Sequence, residues 1–359
     1  MAQALRLARK GCYTTQPNPQ VGCVLVRDGE VVGSGWHARA GAPHAELLAL
    51  SAAGGRARGA TAYITLEPCN HQGRTPPCSA ALLAAGVRRV VCAVLDPNPA
   101  AAGGLARLAA AGVAVEMGVL RQAAEALNRG FFSRLTRGRP WVRLKLAMSL
   151  DARTAMASGE SRWISSEASR RDVQRLRAEA CAVLTGVATV SADDPRLDVR
   201  LSPAELGIEG EVRQPLRVIL DPRLRTPRQA RALAPPGEVL LLSTGQRAGD
   251  GYPVGVSVGV VPAVGERLQL PAVMALLAQR ELGLVQVECG ENLAGALIAA
   301  GLVDELVLYL GPHLMGSAAR GLAALPHLQR MSQRLPWRLI DERRVGPDLR
   351  LTAVPGERE

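Results

Sequence analysis

The chain has 359 residues, of which 48% are apolar and 21% charged, and a net charge of +11 carried almost wholly by arginine. One hydrophobic core rarely fills that length, so two domains are expected. Apolar runs stay short of the ~18 residues of a transmembrane helix, and the N-terminal MAQALRLARKG lacks the apolar core and small-residue cleavage site of a secretory signal. A cytoplasmic protein with no membrane association is therefore expected. The seven cysteines (Cys12, Cys23, Cys69, Cys78, Cys92, Cys181 and Cys289) are odd in number and thinly spread, which argues against a disulfide framework. The arginines are dispersed and aromatic residues make up only 3%, so no stacking platform for nucleic acid is seen. A small phosphorylated molecule is the expected partner, and nucleic acid is not.

In chain order, AQALRLARK has helical spacing. VGCVLVRDGEVVGSGW reads as two strands joined by a turn at Asp28-Gly29. A helix fits HAELLALSAAGG, TAYITL is a strand, SAALLAAG a helix, RRVVCAVL a buried strand, GLARLAAAG a helix and VAVEMG a strand. RQAAEALNRGFFSRL reads as one helix, leading to TRGRP, the candidate domain boundary. Domains are expected at 1–138 and 139–359. Alternation then restarts: strand WVRLKLAM, helix EASRRDVQRLRAEA, strands AVLTG, PLRVIL and EVLLLST, helix LPAVMALLAQRELG, strand LVQVEC, helix NLAGALIAAG and strand DELVLYL. Asp198 to Gln214 reads as a loop or insertion. The fold class is α/β, with two three-layer domains built on largely parallel sheets.

His44 and Glu46 open a helix, Cys69 ends the strand segment TLEPC, and Cys78 opens the next helix. The order H-x-E, P-C, C is the layout of zinc-dependent nucleobase deaminases, except for a wider gap between the cysteines. One imidazole and two thiolates leave a fourth tetrahedral position for water, whose pKa zinc lowers to about 7. Glu46 is the carboxylate placed to carry protons without binding metal. One zinc per chain is expected. A redox pair needs CxxC and fails on spacing. Within the inserted NHQGRTPP, His71 and Arg74 are candidate contacts to a ring or phosphate; the alternative is a solvated loop stiffened by Pro76 and Pro77. Asn18, between two prolines in QPNPQ, is a candidate base-reading amide.

In the second half no Rossmann fingerprint is present: GSGWHA follows a hairpin strand and opens no helix. ECGENLAGA is a better phosphate cradle, with Glu288 ending a strand and Gly290, Glu291 and Asn292 at a helix start. Asp193 and Asp194 precede Pro195, where the bland reading is a turn with an Asx cap. Arg177 and Arg200 suit a sugar phosphate, and Trp163 is either a stacking surface or core. No residue stands out as proton donor for a reduction.

TTQPNPQVGCVLV, PHAE, TLEPCNHQGRTPPC, DPNP and ALNRGFF, followed by KLAMSLDARTAMASGESRWIS, DVQRLRA, ATVSADDPRL and LAGALIAAGLVDELVLYL, closely resemble the bifunctional riboflavin-biosynthesis deaminase/reductase family over nearly the whole chain. The resemblance implies a cytidine-deaminase-like first domain and a dihydrofolate-reductase-like second domain. It implies deamination of a ribosylamino-pyrimidinone phosphate, then NADPH-dependent reduction of ribosyl to ribityl, in a homodimer or larger assembly. By position it implies zinc on His44, Cys69 and Cys78 with Glu46 as proton carrier. Ser161, Arg177, Leu197, Arg200 and Glu288 match substrate-contacting positions, and Ala147, Trp163, Thr189 and Asp193 match NADP-contacting ones. Four departures stand out: Ala152 in SLDAR for the usual glycine, Cys289 in ECG, Pro222 for a serine implied to meet the cofactor, and one residue fewer after DPNP. If the glycine has positive φ, Ala152 costs about 1 kcal/mol.

Overall fold

The computed structural model describes residues 1–71, 76–245 and 251–357. The chain divides into two compact units, Met1–Gly138 and Arg139–Glu359. The first holds α1 (Ala2–Ala8), β1 (Gly22–Arg27), β2 (Glu30–Trp36), α2 (Ala45–Ala53), β3 (Thr61–Ile64), α3 (Cys78–Ala84), β4 (Arg89–Cys92), α4 (Gly104–Ala110), β5 (Ala114–Met117), α5 (Arg121–Leu127) and α6 (Arg129–Arg137). Its sheet runs β2-β1-β3-β4-β5. The two-residue turn at Asp28-Gly29 sets Arg27 opposite Glu30, as the sequence predicts. The sheet is mixed and not largely parallel: β1 is antiparallel to both β2 and β3, and only β3-β4 and β4-β5 are parallel.

Residues of the strands and of the segments just beyond their ends feed two apolar layers. Cys23, Leu25, Ile64 and Val90 meet Ala45, Ala49, Leu82 and Leu108 of α2, α3 and α4. Leu66, Ala93 and Val94 meet Leu5 of α1, Ala124 of α5, and Phe131 and Phe132 of α6. The GSG string that fails as a nucleotide motif has a packing role. A Cβ on Gly33 would stand 2.3 Å from the Ala49 carbonyl oxygen, and one on Gly35 2.6 Å from that of Ala45. Glycine lets α2 lie directly on β2, which sets where the helix begins.

One predicted helix is two. The chain breaks at Asn128, whose backbone (φ −112°, ψ 25°) leaves the helical region. Its buried amide instead accepts a hydrogen bond from Gln20 N–H at 2.7 Å and donates to the Gln20 carbonyl at 2.9 Å. These two tertiary bonds outweigh the local helical propensity of the run.

The second unit adds β6 (Trp141–Ser149), β7 (Arg153–Ala155), α7 (Glu167–Glu179), β8 (Ala182–Gly186), α8 (Val187–Asp193), α9 (Pro203–Leu206), β9 (Leu216–Leu220), β10 (Val239–Ser243), β11 (Val256–Val260), β12 (Ala263–Val264), β13 (Arg267–Leu268), α10 (Leu270–Gln279), β14 (Leu284–Glu288), α11 (Glu291–Ala299), β15 (Glu305–Gly311), β16 (Arg320–Gly321), β17 (Trp337–Val345) and β18 (Asp348–Pro355). Nine strands form one sheet in the order β11-β10-β9-β8-β14-β6-β15-β18-β17. It is parallel as far as β15 and antiparallel at β18 and β17. Leu144, Leu146, Val285 and Val287 face α10 and α11, whereas Tyr309 and Val307 face α7. The interval Asp198 to Gln214, read as a loop or insertion, holds one short helix, α9, opened by a capping box at Ser202 and Glu205. Among the described residues no helix is long and apolar enough to cross a membrane.

Ala152 has φ +57°, in the left-handed region that glycine adopts far more readily than alanine. Ala152→Gly is expected to raise the stability of the second unit by up to about 1 kcal/mol, read as a higher chemical-denaturation midpoint. An unchanged or lower midpoint would count against strain at this residue.

Candidate active sites

The first site gathers at the ends of three elements. His44 is the N-cap of α2, Cys69 follows the exit of β3, and Cys78 is the first residue of α3. Their ligand atoms all lie within 4.8 Å of one another. His44 Nδ1 is 3.2 Å from Cys78 Sγ and 3.5 Å from Cys69 Sγ. A tetrahedral zinc ion spaces such N and S donors by roughly 3.5–3.8 Å, so the three fit one ion. Cys78 N–H also points at Cys69 Sγ, at 3.4 Å. Hydrogen bonding from Cys78, then from His44, pulls the Cys69 thiol down to about 4. The second thiol, Cys78, is pushed up by its bond to Cys69 and by burial. Two adjacent thiolates repel, and a divalent cation between them removes that cost.

Glu46 is 3% exposed and lies in the first turn of α2. Burial pushes its carboxyl up to about 7, against the lowering effects of its own backbone N–H and of His44. A carboxylate poised there exchanges protons near neutral pH.

Beside His44 stands a residue the sequence reading missed. His37 is 3% exposed and its ring meets that of His44 edge-on, with centroids 5.6 Å apart. Its Nδ1 is 3.2 Å from the Pro43 carbonyl, which only accepts, so Nδ1 carries the proton. Nε2 then accepts from the Asn18 amide nitrogen at 3.1 Å, which turns the Asn18 carbonyl oxygen away. Burial lowers the His37 pKa, keeping the ring neutral for this task. Glu67 was missed too. Buried two residues before Cys69, it accepts from the backbone N–H of Asp96, Gly103 and Leu105 at 3.0–3.2 Å. His71 is exposed; Arg74 lies outside the described residues.

The second site lies on the α7 side of β14, β6 and β15. Glu288 is the register partner of Lys145 on the neighbouring strand. Arg177 of α7 donates to both Glu288 oxygens, at 2.7 and 2.8 Å, and to the Asp198 carbonyl at 3.1 Å. Its fork, expected to meet a sugar phosphate, is thus engaged by the protein. Burial opposes ionisation of Glu288, but Arg177 outweighs it and holds the carboxyl down at about 2. Lys145 was not singled out from sequence. Burial lowers its pKa, Glu288 works against that, and Arg177 adds to it. The overlooked signal was scarcity: only Lys10 and Lys145 among 43 basic residues are lysine. Arginine fills every other basic position but cannot give up a proton.

Around them, Ser161 Oγ donates to Asp193 Oδ1 at 2.8 Å, joining an expected substrate contact to an expected cofactor contact. Asp193 ends α8, a helix where the sequence suggested only a turn, and Asp194 accepts from Arg231 N–H. Thr189 lies in the same helix and Ala147 on β6 beyond Lys145. Trp163 is 68% exposed, so it is a surface ring and not core, with Arg170 4.3 Å from its centroid. Leu197 (φ +60°) buries its side chain in the core, leaving only backbone for a ligand. Arg200 keeps an exposed guanidinium while bonding Asp198. Gly290 caps α11, whose first residues are Glu291 and Asn292, and a Cβ there would meet nothing within 4 Å. That open helix start after a parallel strand fits a phosphate-bearing cofactor. Pro222 supplies no hydroxyl; its carbonyl accepts from Thr244.

Residues 1–94 match the model of the cytidine and deoxycytidylate deaminase zinc-binding region, and residues 140–351 match the RibD C-terminal domain. The chain is 49% identical to the riboflavin biosynthesis protein RibD of Escherichia coli strain K12, over 99% of this chain and 98% of that one. The chain belongs to the RibD family. Similarity to RibD of Haemophilus influenzae is 48%, over 99% and 96% of the two chains. Among solved structures, Acinetobacter baumannii RibD superposes with a TM-score of 0.90 at 43% identity, covering 99% and 98%. A Thermotoga maritima diaminohydroxyphosphoribosylaminopyrimidine deaminase/5-amino-6-(5-phosphoribosylamino)uracil reductase gives 0.88 at 29%, covering 99% and 97%. As a member of that family, the chain is a bifunctional enzyme of riboflavin biosynthesis, with a zinc-binding deaminase region of cytidine-deaminase-like fold and a dihydrofolate-reductase-like reductase domain.

The Arg177–Glu288 pair makes stability depend on acid. The folded carboxyl lies below the ordinary 4.5, so its stabilisation is complete above about 4.5 and drains as pH falls toward 2. Between about pH 5 and pH 3 the denaturation midpoint of the wild type should fall more steeply than that of Glu288→Gln. Parallel slopes would show that the pair is not the acid-sensitive element.

Proposed function

We propose that residues 1–138 catalyse hydrolytic deamination of 2,5-diamino-6-(5-phosphoribosylamino)pyrimidin-4(3H)-one, with zinc on His44, Cys69 and Cys78. Residues 139–359 then reduce the ribosyl group with NADPH, giving 5-amino-6-(5-phosphoribitylamino)uracil. The observation that carries the reading is the convergence of one imidazole and two thiols beside a buried carboxyl held near neutrality.

Zinc supplies Lewis acidity that makes water a nucleophile at neutral pH. Glu46 takes the proton that water loses, passes it to the ring nitrogen, and serves the departing amine in turn. Asn18, with its amide oriented by His37, presents a carbonyl oxygen for a base N–H donor. In the reductase half the sugar's ring C–O bond breaks, its oxygen takes a proton, and the freed carbon takes a hydride. Gly290, Glu291, Asn292, Ala147, Trp163, Thr189 and Asp193 would hold NADPH, which would supply the hydride. Lys145 is the group that holds the proton: burial makes its ammonium acidic, and Glu288 keeps it charged until the oxygen needs it. Arg177 keeps Glu288 ionised and in place, while Ser161, Arg200 and the Leu197 backbone face the sugar phosphate.

A coupled assay with zinc quantified in the same sample tests both halves. Glu46→Gln is expected to retain about one zinc per chain and lose deamination by at least about a hundredfold. Full deaminase activity in that variant, or in metal-free protein, overturns the first half. Lys145→Met is expected to abolish NADPH oxidation with the deaminated intermediate while leaving deamination intact. Normal NADPH turnover in Lys145→Met removes the proton role, and none in the wild type removes the reductase claim.

A further inference from the structure

Behind Lys145 stands a buried tyrosine held by its own charge network. Lys145 Nζ lies 5.6 Å from the centroid of the Tyr309 ring. Tyr309 is on β15, two residues beyond Val307, the register partner of Lys145. The residue is 0% exposed, packed by Ala147, Val173, Leu176 and Val307. Its hydroxyl donates to Asp172 Oδ2 on α7 at 2.6 Å. Arg350 Nη1 of β18 donates to the same oxygen at 2.7 Å, and Arg350 Nη2 reaches Asp341 of β17 at 3.3 Å. Four elements therefore fix one ring.

Simple core packing does not call for that arrangement. A phenylalanine would fill the apolar space without burying a hydroxyl, a carboxylate and a guanidinium. The network makes sense if ring orientation matters. An ammonium on a flexible four-carbon stem needs a fixed location to deliver a proton, yet a direct carboxylate bond would hold that proton too tightly. An aromatic face attracts the cation without accepting its proton. The other charged groups around Lys145 are Glu288 on β14 and Arg177 on α7, both bound to each other, with Asp172 turned to the far end of the ring.

We infer that Tyr309 is a positioning residue for the reduction: its ring face locates the Lys145 ammonium, and Asp172 with Arg350 locks the ring. This rests on the reading of Lys145 as the proton-holding group. The test uses the full-length enzyme with saturating NADPH and the deaminated intermediate. In Tyr309→Leu the reductase kcat should fall roughly tenfold, and the alkaline limb of its pH profile should move about one unit lower, because the charged form loses its aromatic partner. KM for NADPH and deaminase activity should stay within about twofold, as neither reads the Lys145 proton. Tyr309→Phe keeps the face and loses the lock, so its limb should stay while kcat drops severalfold. A folded Tyr309→Leu with wild-type kcat and limb overturns the inference, as does equal loss in both variants without any pH shift. If the leucine variant does not fold, Tyr309→Phe and Asp172→Asn decide: lowered kcat at an unmoved limb supports the lock, and unchanged kcat in both overturns it. An active Lys145→Met sinks the underlying reading; an inactive one beside a silent Tyr309→Leu sinks only the role of Tyr309.

Discussion

Two sulfurs and one imidazole nitrogen within 4.8 Å is the constraint on which the first unit depends. The three groups come from separate elements, and the two sulfurs repel when both thiols are ionised. Each must therefore be held by backbone. Gly33 and Gly35 bring α2 against β2 and so place His44. Glu67 ties the segment before Cys69 to the start of α4 through the N–H groups of Gly103 and Leu105, and to the exit of β4 through that of Asp96, and the Cys78 amide steadies the Cys69 sulfur. Helix starts at His44 and Cys78 add positive potential where negative sulfur collects.

The second unit solves a different problem with a polar stripe beneath a helix. Parallel strands buried on both faces normally read as continuous apolar runs. Here β14, β6 and β15 are apolar toward α10 and α11, but toward α7 they present Gln286, Glu288, Arg143, Lys145, Glu305 and Tyr309. Burying these groups opposes stability unless each finds a partner. Glu288 finds Arg177, Arg143 finds Glu179 and Glu305, and Tyr309 finds Asp172. Lys145 is left with a ring face and a carboxylate already claimed by arginine, and Gln286 donates to Glu288 while its own side-chain oxygen stays unpaired.

Local pattern made much of this legible. The hairpin at Asp28-Gly29, the helix starts at His44 and Cys78, and the strand end at Glu288 follow from short-range rules. The readings that failed depend on partners far away in sequence. Asn128 breaks a helix because Gln20, 108 residues earlier, takes its amide. His37 looked like part of a spoiled glycine motif because its value lies in touching Asn18. The β17–β18 hairpin was not read: WRLIDERRV is mostly exposed and arginine-rich, and it becomes a strand through pairing with β18. Of the two readings open for Trp163, surface ring or core, the structure shows the surface ring, and Leu197 is buried. Lys145 was visible only by composition, as a lysine where the chain otherwise uses arginine.

The two key carboxyls show how one chain separates proton traffic from charge holding. Glu46 and Glu288 both end up inside protein, where burial alone raises a carboxyl pKa. Among the described residues no guanidinium acts on Glu46, so it stays near 7 and exchanges protons. Glu288 receives the two-pronged Arg177 fork, so it sits near 2 and stays charged. Had Arg177 faced open solvent, Glu288 would compete with Lys145 for the same proton. The engaged fork is thus what would let a lysine, and not a glutamate, act as the acid in the proposed reduction. Residue types whose environments drive them apart identify which group moves protons and which one stays fixed.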